Sequence, residues 1–369
     1  MRKICGLITG VLLASCSQEN PTLLRFELEE TGIYAVQYRE ADGTFTVMDS
    51  LSILGNDIFE VSFDTVQMLS FLPIEGELPV VHAVIGPETR ELIVSKDGFI
   101  SGDAENNWLG SQRKMQLELI SFIDSLDAIK SNYRDSNTFE GLRALDSVFF
   151  NYADAYRQRI LDSLTSAPGR LANLMTVYHR IGQNPVLEYA VDRDILRNVN
   201  DALTSLSPYS KDVRAFNMWI GEFEETYAFT VKVEDNAQKF QTGAHFPSFA
   251  LESPQGDLIS LERMSLDDHI VAIWASWCVE CRNELRTVAK NESMDRWILL
   301  SIDGLPQQRS PLGEWYEAIV TDKLGGQHLS DLGGSRSIII ETLGVQELPL
   351  YFKVEKGIIT KRVSRVEDL

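Results

Sequence analysis

The residues best suited to chemistry in this sequence are two cysteines, Cys278 and Cys281, in the segment 274–281 (WASWCVEC). The short apolar run 270–274 before them is typical of a buried parallel strand, and a helix should begin at the cysteines. The first sulfur would then face the positive end of the helix dipole, which favours its thiolate. We therefore expect Cys278 to attack a disulfide as a nucleophile. Cys281, further into the helix, would be the buried thiol that resolves the mixed disulfide.

Other uses of a CxxC pair are weaker alternatives. A zinc site would need further ligands, but there is no second CxxC and the five histidines are scattered. Haem attachment would need a histidine directly after the second cysteine, where Arg282 stands. A purely structural disulfide that closes so short a loop would add little stability. We expect redox chemistry, with no metal site and no other cofactor.

Length and charge restrict the remaining possibilities. The chain has 369 residues, and 34 Lys+Arg against 54 Asp+Glu give a formal net charge of −20. This length favours more than one domain. An acidic surface repels phosphates, so nucleic acid is excluded as an expected partner.

The N-terminus has the pattern of an export signal. Arg2 and Lys3 precede a short apolar run over residues 6–14, too short to span a bilayer. The run ends in residues 13–16 (LASC), which resemble the lipobox of bacterial lipoproteins. That resemblance implies cleavage before Cys16 and attachment of diacylglycerol to its sulfur.

We therefore predict a signal peptide over residues 1–15 and a lipidated tether over 16–22, with an ordinary signal peptide cut near Ser15 as the alternative. Acyl chains bind membranes through the burial of their CH₂ groups. We expect a protein of the cell envelope that is lipid-anchored and faces the periplasm. Cys5 would leave with the signal, so the mature chain would keep one CxxC and no framework of structural disulfides, which is unusual for an exported protein.

A change of periodicity divides the rest of the chain. Residues 23–103 consist of short runs rich in β-branched and aromatic residues, which predict an antiparallel, sandwich-like β domain. Residues 104–231 have apolar residues at helical spacing and are predicted to be an α-helical region. The polar segment 232–242 is predicted to be a linker. Residues 243–369 alternate predicted strands and helices, which indicates a mixed α/β domain.

Three segments together resemble a known family: residues 243–249 (GAHFPSF), residues 274–284 (WASWCVECRNE) and the pair Leu348-Pro349. They resemble the thioredoxin fold of the TlpA/ResA-like extracytoplasmic thiol-disulfide oxidoreductases. The part before residue 243 is, less specifically, similar to the sheet-plus-helices N-terminal domain of such lipoproteins in Bacteroidetes. The resemblance implies an α/β thioredoxin fold for 243–369. It also implies an enzyme that reduces or isomerises disulfides of exported proteins with electrons from a thiol donor.

The resemblance implies roles for further residues. Pro349 matches the family's cis-proline, which would hold Leu348 so that its backbone can pair with a substrate segment. Glu284 matches a glutamate that would relay the proton of Cys281, and a solvated surface glutamate is the alternative. Trp277 would shield the reactive sulfur and form part of the surface on which substrates dock.

Two positions depart from the patterns of related proteins. Ala272 stands where cytoplasmic thioredoxins place a buried aspartate. The carboxylate of Glu280, between the cysteines, would disfavour a thiolate and make the couple more reducing. A second class of function also stays open, a lipoprotein binding module whose CxxC is only a redox latch. The sequence makes no prediction of the oligomeric state.

Overall fold

The computed structural model describes residues 2–5, 21–136, 139–261 and 268–369. The predicted lipid-attachment residue, Cys16, lies outside these ranges, as do most of the predicted signal peptide and tether. The chain divides into two compact units, Met1–Glu224 (unit 1) and Glu225–Leu369 (unit 2). Across the described ranges, no helix combines the length and hydropathy that a bilayer crossing requires.

Unit 1 begins with two β-sheets. Their strands are β1 (Arg2–Cys5), β2 (Thr22–Glu27), β3 (Gly32–Arg39), β4 (Phe45–Ile53), β5 (Asn56–Ser62), β6 (Gln67–Glu75), β7 (Val81–Ile85), β8 (Glu91–Val94) and β9 (Ile100–Ser101). The four-stranded sheet β4-β3-β6-β7 is antiparallel throughout. The five-stranded sheet β1-β5-β2-β8-β9 pairs β2/β5 and β8/β9 antiparallel but β1/β5 and β2/β8 parallel.

Aromatic residues pack the two sheets against each other. The ring of Phe26 on β2 lies 5.8 Å from that of Tyr34 and 5.6 Å from that of Phe71, on the other sheet. All three side chains are fully buried. The alternation of buried and partly exposed residues along β2 is that of a strand with one face in such a core.

The helical part of unit 1 follows the sheets. It contains α1 (Ala104–Ser136), α2 (Phe139–Ser166), α3 (Asn173–Val177), the short strands β10 (Arg180–Ile181) and β11 (Asn184–Pro185), α4 (Tyr189–Leu206) and the first part of α5 (Lys211–Lys239), which continues into unit 2. Apolar residues at helical spacing form a stripe along α1 that is largely buried, with Met115 and Leu119 at most 5% exposed. The same stripe ends at Ile129, which is 42% exposed.

The predicted linker over 232–242 is instead helical as far as Lys239, the last residue of α5. Val233, Ala237 and Phe240 are buried. Their spacing of four and three residues places them on one face of a helix, and polar residues between them hide this stripe in the sequence. The boundary between the two units, after Glu224, falls inside α5 and not in an irregular segment.

Unit 2 is a mixed α/β structure. It contains β12 (Ala250–Glu252), β13 (Leu258–Ser260), β14 (Asp268–Trp274), α6 (Val279–Asn291), β15 (Trp297–Ser301), α7 (Pro311–Asp322), β16 (Gln327–Ser330), α8 (Ile338–Leu343), β17 (Leu350–Glu355) and β18 (Ile358–Val363). The sheet order is β13-β12-β16-β15-β14-β17-β18. Strands β14, β15 and β16 are parallel, whereas β17 is antiparallel to both β14 and β18.

Strand β14 lies inside this sheet and is buried on both faces, as predicted from its continuous apolar run. Val271 and Ile273 belong to the core on one side of the sheet, and Ala272 and Trp274 belong to the core on the other. None of the four has exposed area. A buried strand of this kind supplies a fixed base for the turn that follows it.

Candidate active site

Cys278 and Cys281 form a disulfide at the beginning of α6, with Cα atoms 5.4 Å apart. Cys278 is the N-cap of the helix, and its Sγ accepts a hydrogen bond from the backbone N–H of Cys281 at 3.2 Å. Cys278 is partly exposed, whereas Cys281 has no exposed area. The first sulfur is thus the accessible one, and the unpaired N–H groups of the helix start stabilise negative charge on it.

A buried aspartate holds the turn before the cysteines. Asp303, just after β15, has no exposed area. Its Oδ2 accepts a hydrogen bond from the backbone N–H of Ser276 at 2.9 Å, and its Oδ1 accepts one from the Ser276 hydroxyl at 2.5 Å. The hydroxyl of Ser301 donates to Oδ2 at 2.5 Å. These bonds tie the turn to the end of the neighbouring strand.

Gln308 completes this network from the other side. Its Nε2 donates to Asp303 Oδ1 at 2.6 Å and to Glu314 Oε2 at 3.1 Å. The loop passes through Gly304, which has a φ of +121° and where a Cβ would lie 1.9 Å from a backbone oxygen. Only glycine fits this close approach, so the loop geometry that presents Gln308 depends on it.

A second buried aspartate holds the helix that carries the cysteines. The guanidinium of Arg282, next to Cys281, donates to both carboxylate oxygens of Asp322 at 2.6 and 3.1 Å. The side chain of Asp322 is 1% exposed. Hydrogen bonding to Asp322 raises the pKa of Arg282. This bidentate pair joins α6 to α7 directly beside the disulfide.

The predicted cis-proline and docking residues lie in the segments that lead into β17 and α6. The Leu348–Pro349 peptide bond is cis, as the resemblance implies, and it directly precedes β17. Leu348 and Cys278 both pack at the margin of the same two apolar cores. Trp277 is 42% exposed next to Cys278. The structure thus brings Leu348 and Cys278, which are 70 residues apart in the sequence, to the margin of the same cores.

Glu284 lies on α6 one turn after Cys281, but its hydrogen bond goes elsewhere. Its Oε2 accepts from the backbone N–H of Val366 at 2.9 Å. Within the described residues, the structure shows no hydrogen bond between Glu284 and Cys281. The carboxylate does act on Tyr351, whose pKa is raised by burial and, in addition, by the nearby charge of Glu284.

Tyr351 is a residue that sequence reasoning did not identify. It is fully buried in the same apolar core as Cys281, and it pairs across β14 and β17 with Ala272, the position without the expected aspartate. Asp303 and Asp322 were missed as well. An aspartate at the end of a predicted apolar strand was the one local signal for Asp303. Within the described ranges, no three His, Cys, Asp or Glu residues are grouped closely enough to hold a metal ion.

No protein-family model and no curated protein match this chain. Solved structures do, including a thiol-disulfide oxidoreductase from Bacteroides fragilis (25% identity, TM-score 0.29, 34% of this chain and 93% of that one). A second is the thioredoxin domain of a thiol-disulfide oxidoreductase from Bacteroides vulgatus (20% identity, TM-score 0.28, 35% of this chain and 91% of that one). A third is a secreted disulfide oxidoreductase from Mycobacterium tuberculosis (17% identity, TM-score 0.26, 32% of this chain and 83% of that one). Over about a third of its length, the chain is therefore similar to thioredoxin-fold thiol-disulfide oxidoreductases.

Proposed function

We propose that this protein is an extracytoplasmic thiol-disulfide oxidoreductase and that residues 243–369 form its thioredoxin-fold domain. The observation that carries the proposal is the disulfide between an accessible Cys278 and a fully buried Cys281 at the start of α6. A structural crosslink needs no such difference in exposure. A nucleophile and its resolving partner do need it, because a substrate must reach only the first sulfur.

The reaction is disulfide exchange with a dithiol form of the pair. The thiolate of Cys278 attacks one sulfur of a substrate disulfide, forms a mixed disulfide and releases the other substrate sulfur as a thiolate. The thiolate of Cys281 then attacks the sulfur of Cys278 and releases the second substrate thiolate. Two electrons pass to the substrate, and the pair ends as the disulfide seen here. A thiol donor must reduce it again before the next turnover.

Glu284 is proposed to accept the proton that Cys281 loses in the second step. Burial raises the pKa of Tyr351 and the nearby charge of Glu284 raises it further, which places the carboxylate near the core that contains Cys281. Ala272, on the face of β14 that packs in the same core as Cys281, has no acidic side chain that could accept the proton. A proton from the buried thiol therefore needs an acceptor on α6 or β17.

Exported proteins with disulfides are the proposed substrates. Trp277 and Val279, which flank Cys278, are 42% and 71% exposed and give an apolar surface next to the reactive sulfur. An extended substrate segment would pair with the backbone of Leu348. Such a surface fits an unfolded or partly folded protein, whose apolar side chains are accessible.

The test uses the full-length chain with Cys5→Ser and Cys16→Ser, so that Cys278 and Cys281 are its only thiols. The reduction potential of the pair is measured in glutathione buffers, and insulin is the substrate for reduction by dithiothreitol. In this background, Cys281→Ser should accumulate a mixed disulfide with insulin. The matched variant, Cys278→Ser, should form none because its remaining thiol is buried.

A potential near about −270 mV would support net reduction, and one near about −120 mV would instead make the protein a disulfide donor. A pair that does not exchange with glutathione or insulin would contradict the enzyme proposal. It would favour the binding module with a redox latch.

The lipid anchor at Cys16 and the location in the cell envelope are further parts of the proposal. They are supported by the charged and apolar N-terminus and by the LASC segment. Mass spectrometry of the protein from a bacterial envelope fraction should find a mature chain that begins at a diacylated Cys16. A Cys16→Ser chain that remains equally membrane-bound would contradict this part.

A further inference from the structure

Unit 1 contains a cavity of about 420 Å³, on the face of the four-stranded sheet that is turned away from the other sheet. Pockets of roughly 300–1,000 Å³ typically hold small organic ligands. Met68, Ser70 and Leu72 of β6 line it, whereas the intervening Leu69 and Phe71 point into the core. Residues of α1, α3 and the beginning of α5 cover the other side. No residue of the cysteine site belongs to it.

A row of polar residues crosses the sheet at this cavity. Gln37 pairs with Ser70, and Ser70 pairs with His82, on three neighbouring strands. The Ser70 hydroxyl and His82 Nδ1 are 2.9 Å apart. Sheet faces that only pack on helices are apolar. Packing against helices alone therefore does not explain a row of polar side chains on this face of the sheet.

A cationic group and an unpaired hydroxyl meet in the same cavity. The guanidinium of Arg39 lies 4.6 Å from the ring centre of Tyr178 and 5.5 Å from that of Phe45. Within the described residues its hydrogen bond runs from Nε to the Gly43 oxygen, at 3.3 Å. The hydroxyl of Tyr178 is buried and makes no hydrogen bond of normal geometry in the described part of the chain; burial raises its pKa, and the guanidinium of Arg39 is close enough to oppose that rise. Buried hydroxyls without partners are rare in native proteins.

Asp212 fixes the charge of the cavity. It is 5% exposed, and its Oδ2 accepts a hydrogen bond from the backbone N–H of Met68 at 2.8 Å. One carboxylate therefore lies in the same cavity as the guanidinium of Arg39. A doubly charged phosphate would have a single cation to pair with, Arg39, and would be repelled by the carboxylate of Asp212. An organic cation would be repelled by Arg39. A singly charged anion is the best match.

We propose that this cavity binds a small organic molecule with one carboxylate on an apolar body. The carboxylate accepts hydrogen bonds from the Nη groups of Arg39 and from the Tyr178 hydroxyl. The body packs against Met68, Leu72 and Met175, which supply the apolar lining. This binding site is independent of the proposed redox function.

The test is isothermal titration calorimetry of the full-length chain with phenylbutyrate and with phenylbutanol, which share an apolar body and differ in the carboxylate. Phenylbutyrate should bind at one site at least about tenfold more tightly than the alcohol, because charge-assisted hydrogen bonds add to the apolar contact. Arg39→Gln should remove this difference. Arg90→Gln, at an exposed arginine of the same unit, is the matched control and should leave it unchanged.

Leu72→Trp provides a second variant, since it fills the cavity without removing a polar group, and it should abolish the binding of both compounds. Near-ultraviolet circular dichroism shows that each variant is folded, whatever the redox role proves to be. Equal binding of acid and alcohol, the absence of saturable binding, or displacement of phenylbutyrate by inorganic phosphate would each overturn the proposal. So would binding that persists unchanged in both Arg39→Gln and Leu72→Trp.

Discussion

Asp303→Asn is the substitution that most directly tests how the turn before the cysteines is held. Asp303 has no exposed area and accepts four hydrogen bonds, two from Ser276, one from Ser301 and one from Gln308. Asparagine has the same shape but one acceptor oxygen instead of two. The change therefore removes acceptor capacity without creating a cavity.

The geometry decides which bond is lost. The backbone N–H of Ser276 cannot become an acceptor, so the amide oxygen of the asparagine must face it. The amide NH₂ then faces the Ser276 hydroxyl, which can rotate and accept, and Gln308 Nε2, which cannot. Gln308 is prevented from turning because its Oε1 already accepts from the backbone N–H groups of Gly304 and Leu305, at 2.7 and 3.0 Å.

Two donors are thus left facing each other in a buried site. Hydrogen bonds to charged groups contribute about 1.5–3 kcal/mol each, and an unsatisfied buried group costs about 1–3 kcal/mol. Glu314 still accepts from Gln308, at 3.1 Å, which limits the loss. We expect Asp303→Asn to lower the free energy of unfolding of unit 2 by about 2–4 kcal/mol.

Guanidinium unfolding followed by tryptophan fluorescence measures this change, since four of the six tryptophans lie in unit 2. Asp331→Asn is the matched control. Asp331 also accepts three hydrogen bonds, from Gly333, Ser337 and Ile338, but it is exposed, so water can replace them. A loss of less than about 1 kcal/mol in Asp303→Asn, or equal losses in both variants, would refute this reasoning.

The remaining predictions concern a proton acceptor and three buried titratable groups. Glu284→Gln should slow insulin reduction by about tenfold or more and leave unfolding unchanged; an unchanged rate would make Glu284 a structural residue. Burial raises the pKa of Asp212 to about 6, so the native state holds its proton more tightly than the unfolded state. The contribution of Asp212 to the stability of unit 1 should therefore fall by about 3 kcal/mol as pH rises from about 4 to 6, and Asp212→Asn should remove this contribution from the pH dependence in denaturant titrations. Burial, and then Arg113, lower the pKa of both His82 and His179 to about 4. The contribution of the two histidines to the stability of unit 1 has the opposite sign and should fall as pH decreases from about 6.5 to 4, and a histidine NMR titration with midpoints near 6.5 would contradict this.

The local part of the site could be predicted from the sequence. The apolar run 270–274 and the two cysteines are contiguous, so strand, turn and helix start follow from short-range rules. Pro349 is 71 residues beyond Cys278, and no local pattern links the two. That its peptide bond is cis could be anticipated only from the family resemblance.

The supporting contacts could not be predicted, for physical reasons. Asp303 and Asp322 follow Ser276 and Arg282 by 27 and 40 residues, and any exposed aspartate would have the same local sequence. The helical continuation over 232–239 was missed because its buried stripe has only one apolar residue per turn. The cavity of unit 1 depends on the register of three strands, which a sequence pattern does not fix.

These contacts determine which charges act on the reactive sulfur. Both buried aspartates near the disulfide are held by hydrogen bonds, Asp303 by four neutral donors and Asp322 by the guanidinium of Arg282. The guanidinium therefore offsets the charge of Asp322, whereas the charge of Asp303 is spread over its four donors. The thiolate of Cys278 also experiences two opposing influences at α6 itself, the N–H groups at the start of the helix and the exposed carboxylate of Glu280. Because solvent screens the exposed carboxylate more than the fixed backbone groups, the helix start should prevail and keep Cys278 the more acidic thiol of the pair.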